Sequence, residues 1–157
     1  MIKRILNVNA LALVGLAAVL WALCGQANAS SKREFVVIVN KANTIGSISK
    51  AELSSIYLGK RKTWVTGEIV KPCDLQEAGV DEEQSSMSLF SSKYLNKDMA
   101  TLKSYWIKMV FSAKGEPPRV FKKAEDVIRF VSEDPVSLGY VYSDQVTGSV
   151  RVVPVGD

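Results

Sequence analysis

The sequence predicts an α/β fold, a mixed sheet of about four to five strands flanked by about four helices. Three observations carry that expectation. Phe35-Val36-Val37-Ile38-Val39 is an unbroken apolar run rich in β-branched residues, the pattern of a strand buried on both faces. Gly139-Tyr140-Val141-Tyr142 gives a second strand near the other end. Between them, apolar residues recur at three- and four-residue steps in successive segments, the period of helices with one buried face.

Taken in order, Ser30 to Glu34 is a polar lead into the first strand, and Asn40 to Ser47 is a loop with Asn43 and Gly46 for turn geometry. The passage Ser49 to Trp64 then holds a complete helix. Ser49 can accept from the free amides of the first turn while Glu52 reaches back to the Ser49 amide, a capping box. Leu53, Ile56 and Tyr57 fall on one face, and Gly59 stands where a left-handed residue closes a helix cheaply. Lys60, Arg61 and Lys62 follow at the negative end of the helix dipole. Gly67 makes a turn, and Ile69-Val70 reads as a short strand stopped by Pro72.

Asp74 to Asp81 is acidic, contains Gly79, and reads as an exposed connection. Asp81 with Gln84 offers a second cap, before a stripe of Met87, Phe90, Tyr94 and Leu95. Asp98 caps a third helix in which Leu102, Tyr105, Trp106, Met109 and Val110 recur at helical spacing; Trp106 is expected in the core and Tyr105 at its edge. Gly115 and Pro117-Pro118 end it. Ala124, Val127, Ile128 and Val131 mark a fourth helix closed by Asp134-Pro135. Thr147-Gly148 is a turn, and Val150 to Val155 a last strand whose Pro154 suggests an edge.

Lys3 and Arg4 open the chain, an uncharged run extends from Ala10 to Leu23, and Ala27-Asn28-Ala29 supplies small residues. This is the layout of a secretory signal peptide, residues 1–29, cleaved after Ala29 to deliver the product to the periplasm. The apolar run is about 14 residues long where a spanning helix needs about 20, so no stable membrane span is expected after cleavage. A lipid anchor on Cys24 is disfavoured by bulky Leu23 before it. The remainder, 30–157, is one domain. Without Lys3 and Arg4 the 20 basic residues fall to 18 against 16 acidic ones, about +2 in place of +4, which is no polyanion binder, so nucleic acid is not an expected partner. Of the 2 cysteines only Cys73 remains, as a small apolar packing residue. The chain has no histidine. That removes the commonest general base and zinc ligand together with the Ser-His-Asp arrangement, so no enzyme, cofactor or metal is expected. The acidic pairs Glu82-Glu83 and Glu133-Asp134 lack metal-ligand spacing.

The words Ile-Tyr-Leu-Gly-Lys-Arg (56–61), followed by Trp64 and Gly67, resemble a helix-and-turn passage of the phosphate-binding proteins that serve ABC transporters. Leu95-Asn96-Lys97-Asp98, Tyr105-Trp106-Ile107, and Phe111 to Pro118 are similar to a smaller, single-lobe branch of that family, and Leu138-Gly139-Tyr140-Val141 is similar to a strand both branches carry. The resemblance runs from Phe35 to Tyr142 and implies a single periplasmic-binding-protein-like lobe. It also implies a phosphate site made from an arginine, an aspartate and a Ser-Gly-Thr turn at a helix start, where backbone amides meet the anion. The matching turn here is Gln84-Ser85-Ser86 or Ser85-Ser86-Met87, without the glycine, and no arginine lies between Lys62 and Pro118.

Gln84, Ser85, Ser86 and Ser88 are therefore the candidate ligand-binding residues, with helix capping as the simpler role for the serines. Lys60, Arg61, Lys62 and Trp64 form a candidate patch for an anionic partner or lipid headgroup, with a solvated turn and a partly buried Trp64 as the simpler reading. A single lobe offers a rim and not a clamp, so tight capture would need a second copy or another protein. The function expected is that of a solute-binding-like protein in uptake or sensing of phosphate or another small anion, working with an ABC permease. The alternative is a non-enzymatic envelope interaction or sensor-adaptor module that kept the fold without tight anion binding, docking on an envelope protein or on a copy of itself.

Overall fold

The computed structural model describes residues 33–157. The expected signal segment and its cleavage site lie outside the described residues.

The first apolar run forms β1 (Phe35–Asn40), extended because its β-branched side chains pack well on a pleated surface and buried at nearly every position. The glycine-led run forms β5 (Ser137–Tyr142), buried throughout. The two pair antiparallel with Val37 opposite Tyr140 and Ile38 opposite Gly139. On the far side of β1 lies β6 (Val150–Val153), also antiparallel and at the sheet edge, as Pro154 suggests. β3 (Lys71–Leu75) runs parallel to β5 on one side and to β4 (Arg119–Phe121) on the other. The mixed five-stranded order is β4-β3-β5-β1-β6, and β2 (Ile48–Ser49) pairs parallel with β7 (Val155–Gly156) in a separate ribbon.

Among the described residues four α-helices accompany the sheet: α1 (Lys50–Tyr57), α2 (Ser86–Phe90), α3 (Met99–Phe111) and α4 (Ala124–Glu133). The capping box on α1 forms as the sequence predicts, Leu53, Ile56 and Tyr57 are buried, and Gly59 adopts φ +65°. Asp98 caps α3 through the Thr101 amide at 2.7 Å. Trp106 is buried, while half-buried Tyr105 donates its hydroxyl to the Leu58 carbonyl at 2.6 Å. Asn40, at the end of β1, donates its side-chain amide to the carbonyls of Val131 (3.0 Å) and Ser132 (2.7 Å), satisfying acceptors at the last turn of α4.

The sheet separates two packed layers. On one face Val127 and Val131 of α4 close on Cys73 and Gly139, and Cys73 is a fully buried packing residue. On the other, Tyr140 stacks on Phe90 with ring centroids 3.7 Å apart, and Tyr57 packs beside them.

Four local expectations are corrected. Pro72 does not stop a strand at Ile69-Val70; it lies inside β3, while Ile69 makes only an isolated bridge to Thr63. The proline is tolerated because pairing with β4 begins at Cys73, so its missing N–H faces no strand. Asp74 is not part of an exposed connection but a buried residue of β3. Asp81 makes no side-chain cap; Glu82–Gln84 form a 3-10 turn, and the cap of α2 is Ser85. The stripe continuing from Phe90 to Leu95 is a π-helical turn (Ser91–Leu95) ended by Asn96 at φ 53°.

Candidate functional site

In an open α/β sheet, ligands meet the protein outside the carboxyl ends of parallel strands. β3 leads there into the loop 76–81, and the chain returns through the 3-10 turn to the start of α2. This brings three of the four candidate ligand residues together. The Ser85 hydroxyl accepts from the Ser88 amide (3.2 Å) and donates to the Glu82 carbonyl (2.6 Å), so it is spent on capping. Ser86 is fully buried, and both its backbone N–H (3.0 Å to Oε2) and its hydroxyl (to Oε1) donate to the Glu77 carboxylate. Ser88 is half-buried beside them. Gln84 is exposed, with its backbone N–H on the Asp81 carbonyl.

The serine turn thus already holds an anionic group, supplied by the chain itself. Glu77 was not among the residues the sequence singled out. It sits nine positions before its partner in an acidic stretch, and no periodicity or motif marks it.

Behind the turn lies a second group that sequence reasoning missed. The Asp74 carboxylate is buried and accepts the Tyr140 hydroxyl at 3.0 Å, while the Leu75 amide donates to the same tyrosine oxygen at 3.3 Å. The Tyr57 hydroxyl donates to the Cys73 carbonyl at 3.0 Å. Burial pushes the Asp74 carboxyl up to about 7, partly opposed by the Tyr140 hydrogen bond. Burial likewise raises both tyrosine hydroxyls and the Cys73 thiol far above their ordinary values, so none is poised as a nucleophile or base.

An arginine stands at the start of the described residues. Arg33 pairs with Asp144 at 2.9 Å and lies 4.4 Å over the Tyr142 ring. Its charged form is favoured first by the Asp144 hydrogen bond and, more weakly, by the field of Glu77.

The second candidate patch is divided by the fold. Arg61 pairs with Glu52 at 2.6 Å and donates to the Thr63 carbonyl. Trp64 is buried, with its indole N–H on the Val136 carbonyl at 3.0 Å, so its ring is not offered to a partner. Lys60 and Lys62 are exposed, and Lys62 donates to the Lys114 carbonyl at 3.2 Å.

The fold is that of the phosphate-binding proteins of ABC transporters. An ABC-type phosphate transport receptor from Vibrio cholerae matches with a TM-score of 0.57 and 15% identity, over 78% of this chain and 46% of that one. PstS from Borrelia burgdorferi matches with a TM-score of 0.58 and 18% identity, over 78% and 47%. A phosphate ABC transporter substrate-binding protein from Clostridium perfringens, solved with bound phosphate, matches at 0.57 and 15%, over 78% and 45%. The chain therefore spans less than half the length of these structures. No protein-family model and no curated protein matches the sequence. Among the described residues no helix is long and apolar enough to cross a membrane.

Proposed function

We propose that this chain is a non-enzymatic, solute-binding-type protein of the periplasm, delivered there by the signal peptide 1–29, that takes part in uptake or sensing of phosphate or another small anion alongside an ABC permease. The observation that carries this reading is the grip of the Ser86 amide and hydroxyl on a carboxylate, at the carboxyl end of β3 in a fold shared with phosphate-binding proteins. Glu77 keeps the place an incoming anion would take. Because the loop that carries it is partly exposed, the carboxylate can swing out and leave the donors to a ligand. The buried thiol and the absence of histidine from the chain argue against an enzyme.

The interaction module is the second reading. A cradle filled by its own side chain suits an interaction module that does not capture a ligand.

Calorimetric titration of phosphate and sulfate into the chain starting at Ser30, and into its Glu77→Ala variant, separates the two. Uptake of phosphate by the variant at least about tenfold tighter than by the parent, a difference of about 1.4 kcal/mol, supports anion binding at this turn. No heat from either protein overturns it and leaves the interaction module.

A further inference from the structure

The outer face of α3 is an unusual surface. Phe111 is 89% exposed, Ile107 57% and Val110 51%, and their spacing places all three on one side of the last two turns. The helix end that presents Phe111 is closed firmly: the Ser112 amide and hydroxyl both reach the Lys108 carbonyl, the Ala113 amide the Val110 carbonyl, and the Lys114 amide the Met109 carbonyl. The side chain is held outward by a rigid element and does not hang from a loose loop.

The charges on and beside the helix are mostly basic, with Glu82 paired to Lys103 and Glu116 beyond the helix end as the acidic neighbours. From Met99 to Gly115 the sequence contains Lys103, Lys108 and Lys114 and no acidic residue; the next acidic side chain is Glu116. The fold adds two more lysines. Lys62 is fastened to the Lys114 carbonyl, so the basic turn carrying Lys60 and Lys62 lies beside the C-terminal end of α3. Lys103 is paired with Glu82, whereas Lys60, Lys62, Lys108 and Lys114 form no ion pair among the described residues.

We infer that this face docks on an anionic lipid bilayer, with Phe111, Ile107 and Val110 entering the headgroup boundary and Lys60, Lys62, Lys108 and Lys114 engaging lipid phosphates. Large apolar side chains flanked by lysines match the chemistry of an interfacial helix, in which apolar burial and attraction to anionic headgroups add. A second copy is a poor occupant, because it would set the same lysines against one another. A protein partner anchors best in a pocket, and neither Phe111, Ile107 nor Val110 lines one of the described cavities. The inference does not rest on anion binding at the serine turn, from which it uses no residue.

The test is flotation of the chain starting at Ser30, which removes the apolar leader and keeps the whole core described above, with vesicles of phosphatidylcholine alone or mixed with phosphatidylglycerol. Binding to the mixed vesicles only, weakened by raising the salt from 0.1 to 0.5 M, is the result expected. Each of Lys108→Gln and Lys114→Gln should lower the partition about fivefold. Phe111→Ser should lower it further while leaving the circular dichroism spectrum unchanged, since that side chain packs against nothing. No flotation with phosphatidylglycerol, or flotation that Phe111→Ser and Lys108→Gln leave intact, overturns the proposal. So does self-association through this face, or capture of an acidic protein, without vesicle binding.

Discussion

Asp74 is the residue whose chemistry departs furthest from what its neighbours in sequence suggest. It opens an acidic stretch, yet the pleat turns it into the layer formed by Tyr57, Phe90 and Tyr140, with the Tyr140 hydroxyl as the donor to its carboxylate. With its carboxyl pushed up to about 7 in the folded protein and an ordinary value of 3.8, the native state keeps a proton between those limits that the unfolded chain has already lost. Stability from this group is therefore fully present at low pH and is lost as pH rises to about 7, by on the order of 4 kcal/mol in all. Asp74→Asn keeps an acceptor for Tyr140 and removes the charge. Urea unfolding should find the variant more stable than the parent at pH 8 and close to it at pH 4.5; an equal difference at both values would show that the carboxyl titrates as if in water.

Among the elements, the join of α4 to the sheet is the tightest. A Cβ at Gly139 would lie 2.9 Å from Val127 Cγ1, 3.0 Å from Cys73 Sγ and 3.2 Å from Val131 Cγ2. These are short, branched or backbone-anchored groups that cannot fold aside. Gly139→Ala is expected to cost about 1 to 3 kcal/mol through overpacking, measurable as a lower urea midpoint with an unchanged slope. The same elements explain what was legible. α1, α3 and α4 announce themselves because start signal, apolar stripe and stop signal all lie within one short segment, so local and tertiary preferences agree. β3 is hidden because its fitness for the sheet depends on where β4 begins, far along the chain: Pro72 and Asp74 look like breakers until that partner is known. The candidate site was half-legible for the same reason. Ser85 and Ser86 stand out as cap-type residues at a helix start, but the carboxylate that Ser86 holds comes from a loop whose path no local rule sets.

At the scale of the whole molecule, a domain this small relies on one core. The two tryptophans among the described residues sit on different parts of that core. Trp64 ties the hairpin after α1 to the start of β5 through the Val136 carbonyl, and Trp106 carries α3 against the turn at Gly59. Neither region has a separate set of buried contacts to fall back on, because Tyr57, Phe90 and Tyr140 link α1 and α2 to the same central strands. The chain starting at Ser30 should therefore unfold in a single transition. Tryptophan fluorescence, reporting on the hairpin and α3, should trace the same urea curve as far-UV circular dichroism, which averages over sheet and helices. If the fluorescence change precedes the loss of secondary structure, the hairpin and α3 form a separately melting layer over the sheet. The rigid closure of the Phe111 turn would then be a local property of α3 and not one imposed by the core.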